Sequence, residues 1–424
     1  MDDKINKGYW AVATQKHLSK FQTSSQNYEE FDALNISGKA GRLLGLIRGN
    51  TRITNMKKLE KLAGTMGIGK RELRNTILPE LEKVTEKKIE LQRNSLKEII
   101  GIEEYFLDSE EVLSAAGDYF EYMAPEETER ITVESMSNTK KIPVSNTEIY
   151  ALLGKDYSEE AIGQALKYQE QFKLLKRSFI HGEDIYSNEY IWAGKQDKIL
   201  YSLPQLDITS KEELATFIEI LQNTQGTSQS QINIDTQLIL LAKKTGIIDP
   251  VTIKTKRHFD QEFLFTSNFL GGETLVNDIL DDVKLLISAI RFGTKYTSFS
   301  RLSDPVRFLE SLIGGNKVGP HSANGTDYIL LESRGIVRIT PSLSHPDRYY
   351  MELLKKDIGL MALKILKSSN YEMESSISNC SFDSSTAYPI FESPEDTRMK
   401  LAESSAVIAE AEDYFIEVLR DERL

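Results

Sequence analysis

The sequence predicts an α+β fold, mostly α, made of repeated helix-turn-helix units each followed by a β-hairpin, with a helix at the C-terminal end. Three observations predict it. Apolar residues recur at helical spacing in short segments separated by glycine turns. Alternating stretches with turn residues at their centres follow those segments. The whole pattern returns along the chain, at about 36–93, 145–192 and 281–359.

The first unit opens with "SGKAGRLLGLIRG" (37–49). Ser37 is a suitable helix cap, and Ala40, Leu43, Leu44 and Ile47 make one apolar face. A second short helix covers 55–64, with Met56, Leu59, Leu62 and Ala63 at helical period. Gly64 and Gly67 permit a sharp turn that Ile68 can plug. A third helix, "GKRELRNTILPELEKV" (69–84), buries Leu73, Ile77, Leu81 and Val84 and offers Lys70, Arg71, Arg74 and Asn75 on its other face. Pro79 should kink or end it. "KKIELQR" (87–93) follows as a strand. Gly64 to Lys70 also matches the spacing of a phosphate-binding loop. That loop must follow a strand and continue with Ser or Thr, whereas here a helix precedes it and Arg71 follows.

Three helices and then a β element resemble a winged-helix domain. The resemblance implies duplex DNA binding, usually in a regulator. In such domains the third helix enters the major groove, with residues near its start reaching base edges. Arg reads guanine and Asn reads adenine. Lys70, Arg71, Arg74 and Asn75 are then the base-facing candidates, with Arg52, Lys57 and Lys58 near phosphates.

The second unit has a helix at 146–153, a turn capped by Ser158, a helix carrying Ile162, Ala165 and Leu166 inward, and a hairpin turning at His181–Asp184. Its exposed face shows Glu159, Glu160, Gln164 and Lys167, which suits a protein partner as well as DNA. The last unit has Val283, Leu286, Ile287 and Ile290 in its first helix. Its second begins at Pro305, and a third runs roughly 322–334. "IVRIT" and "RYYMELL" are its hairpin strands. Its DNA candidates are His321, Ser322, Asn324, Arg334, Arg338 and Arg348. Between these units, 211–222 and 234–245 are helical, 223–231 is a loop, and 251–266 is a hairpin. These make a degenerate unit of the same type.

Charge is distributed unevenly. The net charge of -12 hides a basic segment at 1–100, with 19 Lys or Arg against 12 Asp or Glu. Residues 101–150 carry 3 against 12, and those from 368 onward carry 4 against 13. A basic module followed by acidic segments fits a DNA binder whose non-specific affinity is restrained. The expected organisation is a basic module (1–100), an acidic helical connector (101–144), a second module (145–205), a helical and hairpin module (206–275), a C-terminal module (276–367), a Ser-rich linker (368–393) and a final helix (394–424). In that helix Leu401, Ile408, Ala411, Phe415 and Val418 keep heptad-like spacing over about two and a half heptads, which suits either packing on the chain's own body or a homodimer seam matched to a palindromic operator.

No run approaches the ~20 apolar residues of a membrane span. No secretory leader opens the chain, and Cys380 is the single cysteine, so a cytoplasmic setting is expected. No catalytic or cofactor pattern emerges, so an enzyme, a metal or a cofactor is not expected. The five histidines, His17, His181, His258, His321 and His345, are scattered. "HFDQE" (258–262) reads as a solvated strand face, and Glu103 with Glu104 as acids on a water-facing helix. "HPDR" (345–348) with Tyr349 and Tyr350 shares residue types with DNA-cleaving recombinases, but their tyrosine lies well downstream. The rival expectation is a scaffold or accessory subunit whose modules bind protein.

Overall fold

Asp2 caps the first helix, α1 (Asp3–Leu18), by accepting from the Lys4 amide. In the computed structural model α1 is buried along most of its length, from Gly8 to Leu18. The structure describes residues 2–141, 143–180, 182–188, 208–254, 260–266, 277–295, 304–326, 328–368 and 390–392, with a few isolated positions. The chain divides into two units, 1–191 with 419–424, and 192–418.

In the first unit α1 packs on α2 (Asp32–Ile47) and on α5 (Ser109–Tyr122). Glycine allows the approach. A Cβ on Gly8 would stand 1.9 Å from the Leu113 carbonyl oxygen, and one on Gly117 would stand 2.0 Å from that of Lys4. Between α2 and α5 the chain forms β1 (Arg52–Ile53), α3 (Met56–Gly64), a turn with Gly67 at φ 76°, α4, β2 (Ile89–Arg93) and β3 (Ile99–Glu104). Helix α4 is continuous through Lys70–Glu72, a π-helical turn at Leu73–Ile77 and Leu78–Val84. Pro79 therefore does not end it. The Leu78 amide reaches back to the Leu73 carbonyl, and the proline falls where the ladder has already been widened. Leu43, Leu44, Ile47, Met56, Leu59, Ala63, Ile68, Leu73, Ile77 and Leu81 share one core with Ile89, Ile102 and Tyr119.

The segment expected as an acidic helical connector, 101–144, is helical over most of its length and packs on α1 and α2. It holds most of β3, then α5, then α6 (Glu127–Lys141). Glu129, buried, accepts from the Leu34 and Glu126 amides at 2.9 and 3.0 Å. Helix α6 leads into β4 (Val144–Ser145), α7 (Asn146–Leu153), α8 (Glu159–Gln171), β5 (Lys176–Ile180) and β6 (Glu183–Ser187). Ser145 and Glu148 form a capping box on α7, and Ser158 caps α8 as expected. Phe172, at the end of α8, meets Phe21, Tyr28 and Phe31 edge-on, which fixes this part of the chain to the N-terminal loop.

In the second unit α9 (Ile208–Asn223), β7 (Thr227–Ser228), α10 (Thr236–Thr245), β8 (Ile248–Lys254) and β9 (Asp260–Thr266) come first. The expected loop at 223–231 contains β7 and a 3₁₀ turn. Helix α11 (Asn277–Lys295) is buried on every side from residue 281 to 293. Two of its charges are paired within the unit. Asp282 accepts from Lys355 Nζ at 2.7 Å and Arg334 Nε at 3.1 Å, and Lys284 donates to Asp249 at 2.7 Å. Then follow α12 (Pro305–Ile313), β10 (Val318–His321), α13 (Ser322–Thr326), α14 (Ile329–Ser333), β11 (Val337–Pro341), β12 (Tyr349–Leu353) and α15 (Lys356–Ser368). The helix expected over 322–334 is two short helices preceded by a strand, and α15 and β10 were not anticipated.

The fold is α+β, mostly helical, with small antiparallel sheets. The sheets run β1-β3-β2, β4-β6-β5 and β10-β12-β11, while the fourth runs β13-β8-β9-β7. Within each, the earliest strand pairs with the third and the third with the second. β13 (Ile390–Glu392) is an added edge drawn from the expected Ser-rich linker. The other expectations for 369–389, and the seam of Leu401, Ile408, Ala411, Phe415 and Val418, lie outside the described residues, as do His181, His258 and Cys380.

Candidate nucleic-acid interface

The turn from α3 into α4 gathers most of the first group of candidates. Asn55 caps α3, and the Glu72 carboxylate caps α4 by accepting from the Gly69 amide at 3.1 Å. Lys39 holds the other Glu72 oxygen at 2.9 Å. Arg71 and Asn75, one turn apart at the start of α4, are exposed and have no side-chain partner among the described residues. Lys70 is 69% exposed and lies 3.4 Å from Glu60. Lys57 and Lys58 are exposed on α3.

Arg74 has a different job. It lies in the π-helical turn, donates from Nε to Glu60 at 2.5 Å and from Nη1 to the Ile99 carbonyl at 3.0 Å. Its guanidinium ties α3, α4 and β3 together and is not available to a base. Partial burial tends to raise the Glu60 pKa, but the Arg74 bond and charge, with Lys70, outweigh it and hold the carboxyl below its ordinary value. Arg52 is similarly engaged. Its Nη2 donates to Gln92 at 3.0 Å on the outer face of the sheet, where Gln92 and Tyr105 also donate to Glu103. Glu103 and Glu104 are on β3 rather than a helix, and Glu104 is buried, accepting from Thr51 and Phe106 amides.

Sequence reasoning passed over three lysines. Lys61 on α3, Lys83 on α4 and Lys97 on the β2–β3 turn are exposed, with no side-chain partner among the described residues. Their signal was present, since each falls on a polar position of its own element.

The second group disperses. Asn324 is buried and donates to the Val318 and Tyr349 carbonyls at 2.9 Å each, so it fastens α13 to the sheet. Arg334 is spent on Asp282, and Arg338 donates to Glu352 at 2.9 Å. His321 Nδ1 accepts from the Ala323 amide, just after Ser322 opens α13. Only Arg348, on the β11–β12 turn, keeps an exposed side chain without a partner among the described residues. On α8, Glu159, Glu160, Gln164 and Lys167 are all exposed, as expected.

Among the described residues no group of His, Cys, Asp and Glu could hold a metal ion, and no helix is long and apolar enough to cross a membrane. No family model, curated protein or solved structure matches the chain.

Proposed function

We propose that the chain is a sequence-specific double-stranded DNA-binding protein, a transcriptional regulator of repressor type, built from tandem winged-helix modules and acting in the cytoplasm. The supporting observation is the pair Arg71 and Asn75 at the exposed start of α4, with Lys70 on the same helix and Lys57 and Lys61 exposed on α3. A guanidinium and an amide one turn apart suit a guanine and an adenine edge, and the lysines suit the flanking phosphates. The recurring strand order, in which a hairpin follows paired helices, supports the modular reading. The work of contact falls on the first module, because the basic residues of the last are mostly engaged within it.

Selection from a random duplex pool tests this, with affinity followed against salt for the wild type and Arg71→Ala/Asn75→Ala. Enrichment of a motif, a steep salt slope and a loss of about 1–3 kcal/mol per lost base contact support it. Binding no tighter than ~10⁻⁴–10⁻⁶ M without enrichment overturns it.

A second reading rests on α8. Its Glu159 and Glu160 would repel a phosphate backbone, so this module suits a protein partner and the chain an accessory subunit. A palindromic motif from the selection would favour homodimerisation through the 401–418 heptad positions.

A further inference from the structure

The hairpin β2–β3 carries features that base reading by α4 does not use. Its tip presents Leu96, 76% exposed, and its strand β3 presents Ile100, 48% exposed. Ile100 is placed there by a bulge. Gln92 pairs with Gly101 and Arg93 with Ile99, which leaves Ile100 as the extra residue. The tip is locked. Asn94 Oδ1 accepts from the amides of Leu96 at 3.0 Å and Glu98 at 2.9 Å, and its Nδ2 donates to Glu98 at 2.8 Å. Lys97, exposed beside Leu96, holds φ 63°, a left-handed conformation uncommon for a non-glycine residue.

The hairpin is also fixed to α4 at two points. Arg74 Nη1 donates to the Ile99 carbonyl at 3.0 Å. Glu82 accepts from the Leu91 amide at 2.8 Å and from Arg93 at 3.1 and 2.6 Å. Helix and hairpin are thus one rigid two-pronged piece, with cations at the helix and an apolar ridge beside a cation at the hairpin. The β11–β12 turn of the other unit repeats the device. Leu343 is 105% exposed, Ser342 Oγ accepts from the His345 amide at 3.3 Å, and Arg348 is exposed nearby.

We propose that the first hairpin is an apolar wedge for duplex DNA. With α4 in the major groove, the braced hairpin reaches the adjacent minor groove, Lys97 meets phosphate, and Leu96 enters between two base pairs and unstacks them. This rests on the duplex-binding reading above. A mobile hairpin would yield before the stacked bases do; a braced one transmits the load to the DNA. The favoured step is a pyrimidine–purine step such as T-A, which deforms at least cost. Binding therefore kinks the operator as well as reading it.

The test uses the full chain and the duplex recovered from the random pool, with 2-aminopurine replacing the adenine of each T-A step in turn. The expected result is a rise in emission at one step on binding. Leu96→Ser, a change at an exposed site, abolishes the rise at protein concentrations that saturate the duplex, with the urea midpoint of the chain unchanged. Binding without a rise at any step, or an equal rise with Leu96→Ser, overturns the wedge and leaves duplex reading standing. Absence of specific duplex binding, with Arg71→Ala/Asn75→Ala indistinguishable from wild type, overturns both.

Discussion

Glu82 and Arg93 close the seam between α4 and β2, with Nη2 2.6 Å from Oε2. The Arg93 bond is the main cause that holds the Glu82 carboxyl below its ordinary value of 4.5, against partial burial and with help from the Leu91 amide. Because the folded value is the lower one, the stabilisation is complete above 4.5 and is lost as pH falls through the folded value. Glu82→Gln keeps the shape and removes the charge. Its stability deficit, measured by urea denaturation across pH, is expected to shrink as pH drops below the ordinary glutamate range. Glu82→Ala is expected to cost about 1–2 kcal/mol at neutral pH, since the Leu91 amide also loses its acceptor.

Arg71 and Arg74, three residues apart, are expected to separate function from stability. Arg71→Ala lowers duplex affinity by about 1–3 kcal/mol and leaves the urea midpoint unchanged. Arg74→Ala lowers the midpoint by the equivalent of about 1–3 kcal/mol, because Glu60 and the Ile99 carbonyl lose a donor. Equal loss of binding and equal stability in the two variants would contradict the placement of Arg74.

Asp282 neutralises two cations, Lys355 and Arg334, with side chains only 4% and 20% exposed. Asp282→Ala is expected to destabilise by about 3–5 kcal/mol, since the buried charges are left uncompensated. Asp282→Leu/Lys355→Met is expected to recover part of that. Thermal or urea unfolding of both variants measures the coupling, and an additive double variant would show that the two side chains do not interact.

Gly117→Ala sets a Cβ against the Lys4 carbonyl, so α1 and α5 must separate. The expected loss is about 1–3 kcal/mol. Gly45→Ala is its control, because nothing stands within 4 Å of a Cβ there. That substitution is expected to stabilise α2 by about 0.5–1 kcal/mol through the unfolded chain. Denaturation midpoints of opposite sign confirm the contrast.

The helices α3 and α4 and the strand β2 were legible because periodicity and turn residues are local signals, and Ser158 and Pro305 marked true helix starts. The cap expected at Ser37, by contrast, falls inside α2, which begins at Asp32, and β3 was not anticipated. The role of 101–144 was hidden, because the Gly8–Gly117 approach joins residues far apart and leaves no period. The same distance concealed the fates of Arg74, Arg334 and Arg338. A basic residue on a polar face looks free until its carboxylate arrives from Glu60, Asp282 or Glu352. Arg71 and Asn75 are exposed, as their polar positions on the helix led the sequence to suggest.

β13 completes its sheet by pairing Phe391 with Ile253, after the chain has passed through the whole of the last module. That order has a consequence for synthesis. The β8 edge emerges from the ribosome with its outward amides and carbonyls open, and it stays open until the far later segment arrives. During that interval it offers a template to any extended chain, including a neighbouring nascent copy. The closing strand thus acts as a late self-guard, and shortening the chain before residue 390 would leave the edge exposed for good.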